Sequence, residues 1–162
     1  MDLETIKYIN VPPNDFERFK LLPGDLVVCE VNSADLVGRP ALWNGEIDGC
    51  VHQNHLLKVR ANHDKVIPEY LLIWMSLPIS RAHFRARAKA TTNLSSINSA
   101  DLRELPVALP PLQIQREIVT RFDKATKQVN SQRADATKLV ADTAREVEEM
   151  ILGHRPVPNV QS

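Results

Sequence analysis

Residues 110–153 read PPLQIQREIVTRFDKATKQVNSQRADATKLVADTAREVEEMILG, and how this stretch folds decides the plan of the rest. Proline is favoured at the first helical position, where its missing N–H is one the helix cannot use, and glycine is favoured just past the end. Pro111 and Gly153 stand at those two places. Between them Ile118, Phe122, Ala125, Val129, Ala136, Leu139 or Val140, Thr143 or Ala144, Val147 and Met150 or Ile151 recur at alternating steps of three and four, the seam of a coiled coil. At about 1.5 Å per residue the run is roughly 60 Å long. That is too long for a helix lying across a domain of this size, so the spacing predicts an arm that projects and finds a partner. The seam has faults: Gln132 falls where an apolar residue is due, and several core places hold only Ala or Thr. Small residues bury little area at roughly 25 cal/mol per Å², so the helix is not expected to be stable alone. Its other faces alternate in charge, with Asp123 and Lys127 a favourable i, i+4 pair and Asp142 and Glu146 a repulsive one. The competing account is a solvated helix packed on its own domain; the seam favours an exposed arm used for assembly.

Composition sets outer limits. With 43% hydrophobic and 25% charged residues in 162, the chain is expected to be water-soluble, with room for one core plus the arm. The net charge of zero argues against whole-surface polyanion binding, although a neutral total can hide a basic patch. No apolar run approaches the ~20 residues of a membrane span, and the opening MDLETIKYIN has no signal-peptide pattern. The expected compartment is therefore the cytoplasm, where Cys29 and Cys50 are read as reduced thiols rather than a bridge.

Along the chain, Pro12-Pro13-Asn14-Asp15 is a turn, Asp15 to Leu22 a short helical turn, and Leu22-Pro23-Gly24-Asp25 a turn leading into the buried strand Leu26 to Val31. Val37 to Trp43 reads as a second strand, with Pro40 pointing to an edge or bulge. Asn44-Gly45 is a hairpin signal that joins it to a strand at Ile47 to Val51, and Leu56 to Val59 is a fourth. From Ile67 the period changes to helical, with Pro68 near the first position and Pro78 breaking the helix before ISRAHFRARAKA. Thr91-Thr92-Asn93 is a polar loop, Asn98 or Ser99 caps a helix from Ala100 to Glu104, and Leu105 to Leu109 is a last strand. The expected fold is α+β: a small mixed sheet with packed helices over 1–109, a long C-terminal helix forming a coiled-coil arm over 110–153, and a disordered tail over 154–162.

Several pieces, in order, carry a resemblance: Leu22-Pro23-Gly24-Asp25-Leu26-Val27-Val28, Val37-Gly38-Arg39-Pro40-Ala41-Leu42, Ile67-Pro68-Glu69-Tyr70-Leu71, Asn93-Leu94-Ser95 before Leu102, and Leu105-Pro106-Val107-Ala108-Leu109-Pro110-Pro111-Leu112 with Gln115, Ile118 and Val119. Together they resemble the specificity subunit of type I restriction-modification enzymes over roughly Pro23 to Leu152, the LPxxLPPL…Q…IV ending being the most specific part. The resemblance implies a target recognition domain followed by one conserved helical region. Such domains read one half of a split double-stranded DNA sequence. The helices set the separation of the halves and bind the methyltransferase subunit, through which the restriction subunit joins. Three departures stand out. The chain has one recognition domain and one helix where a full family subunit has two of each. It has only about twenty residues before Pro23, and Ile114 stands where an acidic residue often precedes the glutamine. The first implies a half-subunit working as a homodimer on a split palindrome. The second leaves the alternative of a truncated, assembly-only protein that dimerises or binds the methyltransferase without specific DNA reading.

Long-range affinity for DNA comes from phosphate contacts and discrimination from base edges. Arg81, Arg85, Arg87 and Lys89 lie in a stretch with no acidic residue from Ile79 to Ala100, and they are the expected phosphate contacts. Thr91, Thr92, Asn93, Arg39, Gln53, Asn54 and Arg60 are the candidate loop contacts, since Arg, Asn and Gln suit base edges; the bland account of each is solvent exposure, and of the basic run a solvated helix face. The expected dimer and subunit interface is Ile118, Phe122, Ala125, Val129, Ala136, Leu139, Val140, Val147 and Ile151. Other constellations fail. Cys50, His52 and His55 lack a fourth zinc ligand at a usual spacing. There is no phosphate loop, nucleophile elbow or methyl-donor motif, and a small hydrolase would lack a nucleophile. No catalytic residue, metal or cofactor is expected. The chemistry belongs to a partner.

Overall fold

The structure is a computed structural model that describes residues 6–157. In chain order it has α1 (Pro13–Phe19), β1 (Leu26–Cys29), β2 (Val31–Asn32), β3 (Pro40–Leu42), β4 (Leu56–Val59), α2 (Pro68–Ser76), α3 (Pro78–Arg87), β5 (Lys89–Ala90), β6 (Ser95–Ser96), α4 (Ser99–Arg103) and α5 (Leu112–Ile151). The class is α+β, small antiparallel sheets with helices followed by one long helix. The strands form two three-stranded sheets, in the orders β3-β1-β4 and β2-β6-β5. The run expected as one strand from Leu26 to Val31 changes sheet at Glu30, whose N–H donates to His55 O at 2.9 Å and whose carbonyl accepts from Ile97 N at 3.0 Å.

Period-two alternation explains why β1 is central. Leu26 and Val28 enter a core with Val37, Val66, Tyr70, Leu71, Met75, Phe84 and Ile97. Val27, on the opposite face, packs with Leu21 and Trp43. The turn before β1 is held by Asp25, which is 1% exposed: its carboxylate accepts from Leu22 N at 2.8 Å and from Arg60 Nε at 2.7 Å and Nη2 at 2.6 Å. Gly24, at φ +91, supplies the left-handed residue that this turn needs. Burial alone would raise the Asp25 pKa, but the hydrogen bonds from Arg60 and Leu22 and the charges of Arg60 and Lys58 outweigh it and hold it below the usual carboxylate value.

Three local expectations are corrected. Asn44-Gly45 does not open a hairpin: Asn44 donates its N–H and its side-chain amide to the Glu46 carboxylate, each at 3.0 Å. Residues Ile47 to Val51 form no strand: their one ladder-type pairing is an isolated bridge from Val51 to Lys20, and Ile47 and Cys50 pack instead on the Leu21, Val27 and Trp43 cluster. The side-chain bonds close the turn locally, while β3 finds its partner in β1. The strand expected from Val37 is shorter, because residues Ala34 to Gly38 form a turn; Pro40 does sit on an edge strand. Leu105 to Leu109 is extended but belongs to no sheet. Its carbonyls are taken instead by α2, with Trp74 Nε1 donating to Pro106 O at 2.9 Å and Tyr70 OH donating to Ala108 O at 2.8 Å.

The chain divides into two units, Met1–Val119 and Thr120–Ser162. The opening turns of α5 therefore go with the first unit, where Gln115 is buried and Val119 packs on the core. Pro111 stands one residue before the helix, its carbonyl accepting from Gln115 N at 3.1 Å. In the second unit every residue from Thr120 to Glu148 is exposed. The helix ends in a Schellman arrangement: Gly153, at φ +75, donates its N–H to Met150 O at 3.2 Å and His154 donates to Glu149 O at 2.8 Å. The expected tail, 154–162, lies partly outside the described residues; within them Arg155 pairs with Glu146 at 2.9 Å. Among the described residues no helix is long and apolar enough to cross a membrane.

Candidate nucleic-acid interface

Gly38 organises one part of the surface. It is at φ +72, and a Cβ there would stand 2.5 Å from the Phe84 ring, so only glycine lets the turn before β3 lie against α3. That docking places Arg39 beside the helix. Arg81, half-buried on α3, donates Nη2–H to Asp35 O at 2.8 Å, while its Nη1 is buried with no hydrogen-bond partner. Burial, and then the charges of Arg85 and Arg39, lower its pKa. Arg39 and Arg85 are exposed and form no ion pair among the described residues. Three cations from two segments thus gather with one unsatisfied buried donor. Guanidinium groups present donors in a fork that matches phosphate oxygens, so the arrangement can bind a bridging anion.

The other sequence candidates are sorted differently. Arg60 is tied to Asp25, as described. Arg87 donates Nε–H to Glu104 at 3.1 Å, and with Arg85 it stands in the last turn of α3, where cations favour the helix dipole. Thr91 closes the β5–β6 turn, its N–H and Oγ1 both donating to Leu94 O at 2.7 and 3.1 Å. Thr92 and Asn93 are exposed at the tip of that turn, and Gln53 is exposed in the loop before β4. Asn54 and Lys89 line one cleft of about 480 Å³ with Glu30, His55, Ser96 and Asn98 and with the apolar Val31 and Ile97. Nothing in the sequence singles out Glu30, and His55 stands out there only beside Cys50 and His52. His55 is the one non-glycine at positive φ among the described residues, at 74°, a conformation that favours glycine and costs a side-chain-bearing residue energy. Nothing in the loop between β3 and β4, which also holds Gly45 and Gly49, marks position 55 for a left-handed backbone.

His83 Nε2 lies 3.0 Å from Asp101 O, and Asp101 and Asn98 form a reciprocal capping box at α4. His52 lies edge-on to Phe19, with ring centroids 5.4 Å apart; burial, its largest influence, pushes its pKa down. Cys50 packs against the Leu21, Val27 and Trp43 cluster. Both cysteines are free. Among the described residues no group of three or more His, Cys, Asp or Glu side chains gathers as a metal site requires.

The family model described as "Type I restriction modification DNA specificity domain" matches residues 16–138, and the chain belongs to that family. It is a non-catalytic specificity domain, with a single target recognition domain covering most of its length. Among its relatives, the type I restriction enzyme MjaX specificity subunit of Methanocaldococcus jannaschii is 30% identical over 136 residues, which are 82% of this chain and 32% of that protein. The type I restriction enzyme EcoKI specificity subunit of Escherichia coli is 29% identical over 86% of this chain and 32% of its own length. The chain thus spans about a third of the length of these curated relatives. The crystal structure of the HsdS subunit from Thermoanaerobacter tengcongensis shares the fold, with a TM-score of 0.63 at 20% identity over 88% of this chain and 36% of that one.

Proposed function

We propose that this chain reads one half-site of a split DNA sequence, docks a methyltransferase subunit, and works as a symmetric dimer. The observation that carries the reading is the group Arg39, Arg81 and Arg85, with the buried, unpartnered Nη1 of Arg81. The like charges of Arg39, Arg81 and Arg85 repel one another, and a backbone phosphate beside them relieves that repulsion. Other groups suit base edges: Asn54, His55 and Glu30 in the cleft, and Thr92 and Asn93 at the tip of the β5–β6 turn, offer both donors and acceptors. Lys89 adds a cation to that cleft, and Gln53 lies in the same loop as Asn54.

The dimer reading is supported by the seam of α5, where Phe122, Val129 and Leu139 are 47%, 44% and 67% exposed. Protein two-fold symmetry requires inverted half-sites, and the helix pair then sets the spacer. Co-expression with the methyltransferase subunit encoded nearest to this chain, purification, and mapping of methylated sites in host DNA test the reading. A stable complex that methylates a split palindrome is the expected result. A stable complex without methylation identifies the assembly-only alternative, and no complex contradicts both.

A further inference from the structure

Gln115, in the opening turn of α5, is 0% exposed, unusual for a glutamine. Its side chain makes three hydrogen bonds, all to backbone: Oε1 accepts from Ile67 N at 2.9 Å, and Nε2 donates to Lys65 O at 2.9 Å and to Pro110 O at 2.8 Å. One amide therefore ties the chain entering α2 to the chain entering α5. The set of partners selects the residue type. It needs one acceptor and two donors on a planar group at this reach. A glutamate brings no donor to the two carbonyls, an asparagine is one methylene short, and a methionine fills the space without bonding. Four residues on, along the same helix face, Val119 packs against the core, so the start of α5 is held at two points. An apolar residue would suffice if packing were all that mattered, because a buried amide gives back in desolvation most of what its bonds supply. A directional network instead admits one register.

We propose that Gln115 is a positioning residue for half-site spacing: it fixes the register in which α5 begins on the recognition unit, and so the separation that a dimer accepts. This rests on the function proposed above. The test compares methylated sites made by the wild-type complex, by Gln115→Met, and by Val27→Ala, a destabilising change in the separate Leu21–Trp43 cluster. Wild type is expected to use one spacer. Gln115→Met should raise methylation at spacers one base pair longer or shorter by about tenfold, in line with losing a buried hydrogen-bonded group, with the half-site bases unchanged. Val27→Ala should lose yield and keep the single spacer.

The same single spacer in Gln115→Met overturns the inference alone, whereas a wild-type complex that methylates no split site overturns the functional reading and the inference with it. Should Gln115→Met not fold, hydrogen exchange on the wild-type protein decides: the Ile67 amide should be protected as well as that of Val28, and exchange as fast as that of Asn93 overturns the pin.

Discussion

The recognition unit and the helix beyond it use apolar residues in opposite ways. In Met1–Val119, Leu26, Val28 and Phe84 are fully buried against one another, and each contributes roughly 1.5–3 kcal/mol by leaving water. From Thr120 to Glu148 every residue is exposed, Leu139 by 67% and Val140 by 70%. The first region supplies its own stability. The second displays a repeated apolar stripe with little to bury it, the pattern of an element completed by another chain. Exposed helix with strong local propensity can persist alone only marginally, so in the dimer proposed above association would be part of the second region's stability.

The sharpest way to break that contrast is to put charge in the stripe. Phe122→Glu with Val129→Glu would bury two carboxylates in a paired seam, at several kcal/mol per ion before relaxation. Sedimentation velocity of the full chain should show loss of self-association, with unfolding of the recognition unit unchanged. Unchanged mass would contradict the coiled-coil reading. The next effect lies in the core: Phe84→Ala should cost about 3–5 kcal/mol in urea unfolding, whereas Leu139→Ala in dilute monomer should stay within about 0.5 kcal/mol. Comparable losses would erase the distinction between the two regions.

A smaller loss should follow Arg60→Ala, which leaves the Asp25 carboxylate buried without its main partner. About 1–3 kcal/mol is expected, below the cost for a dry pair because the arginine side chain is 47% exposed. The pH dependence has a defined sign. Asp25 titrates below its usual 3.8, so its contribution is present above that value and is lost as pH falls through the lower, folded-state pKa. In Arg60→Ala the acid-induced loss of stability should begin at higher pH, read from urea midpoints across the acid range. Least of all, Glu146→Gln should change stability by at most about 1 kcal/mol, since its pair with Arg155 is exposed on both sides.

Much of the fold was legible because the informative residues act locally. Pro68 and Pro78 start α2 and α3, and Asn98 caps α4, each through its own backbone chemistry. The 3.5-residue period likewise announced α5. What misled was the choice of hydrogen-bond partner, a neighbouring side chain in one place and a separate helix in another. Asn44-Gly45 reads as a hairpin until Glu46 takes its donors. The apolar alternation of Leu105 to Leu109 reads as a strand until Trp74 and Tyr70 donate to its carbonyls. At the candidate interface, the basic run pointed to Arg81 and Arg85, but the convergence of Arg39 on them depends on Gly38 meeting Phe84, residues 46 apart in sequence. Nor does a sequence distinguish a solvated arginine from Arg60, whose partner Asp25 lies 35 residues away.

The salt dependence of DNA binding tests the central claim most directly. Fluorescence anisotropy with a short duplex, over a range of salt, would compare the wild-type chain with Arg81→Ala/Arg85→Ala. Each lost phosphate contact lowers the slope of log K against log salt by about 0.9. The double variant should therefore bind more weakly, with a slope flatter by about 2, while its sedimentation remains that of wild type. Equal slopes, with weaker binding or without it, would contradict the assignment of these arginines to the DNA backbone.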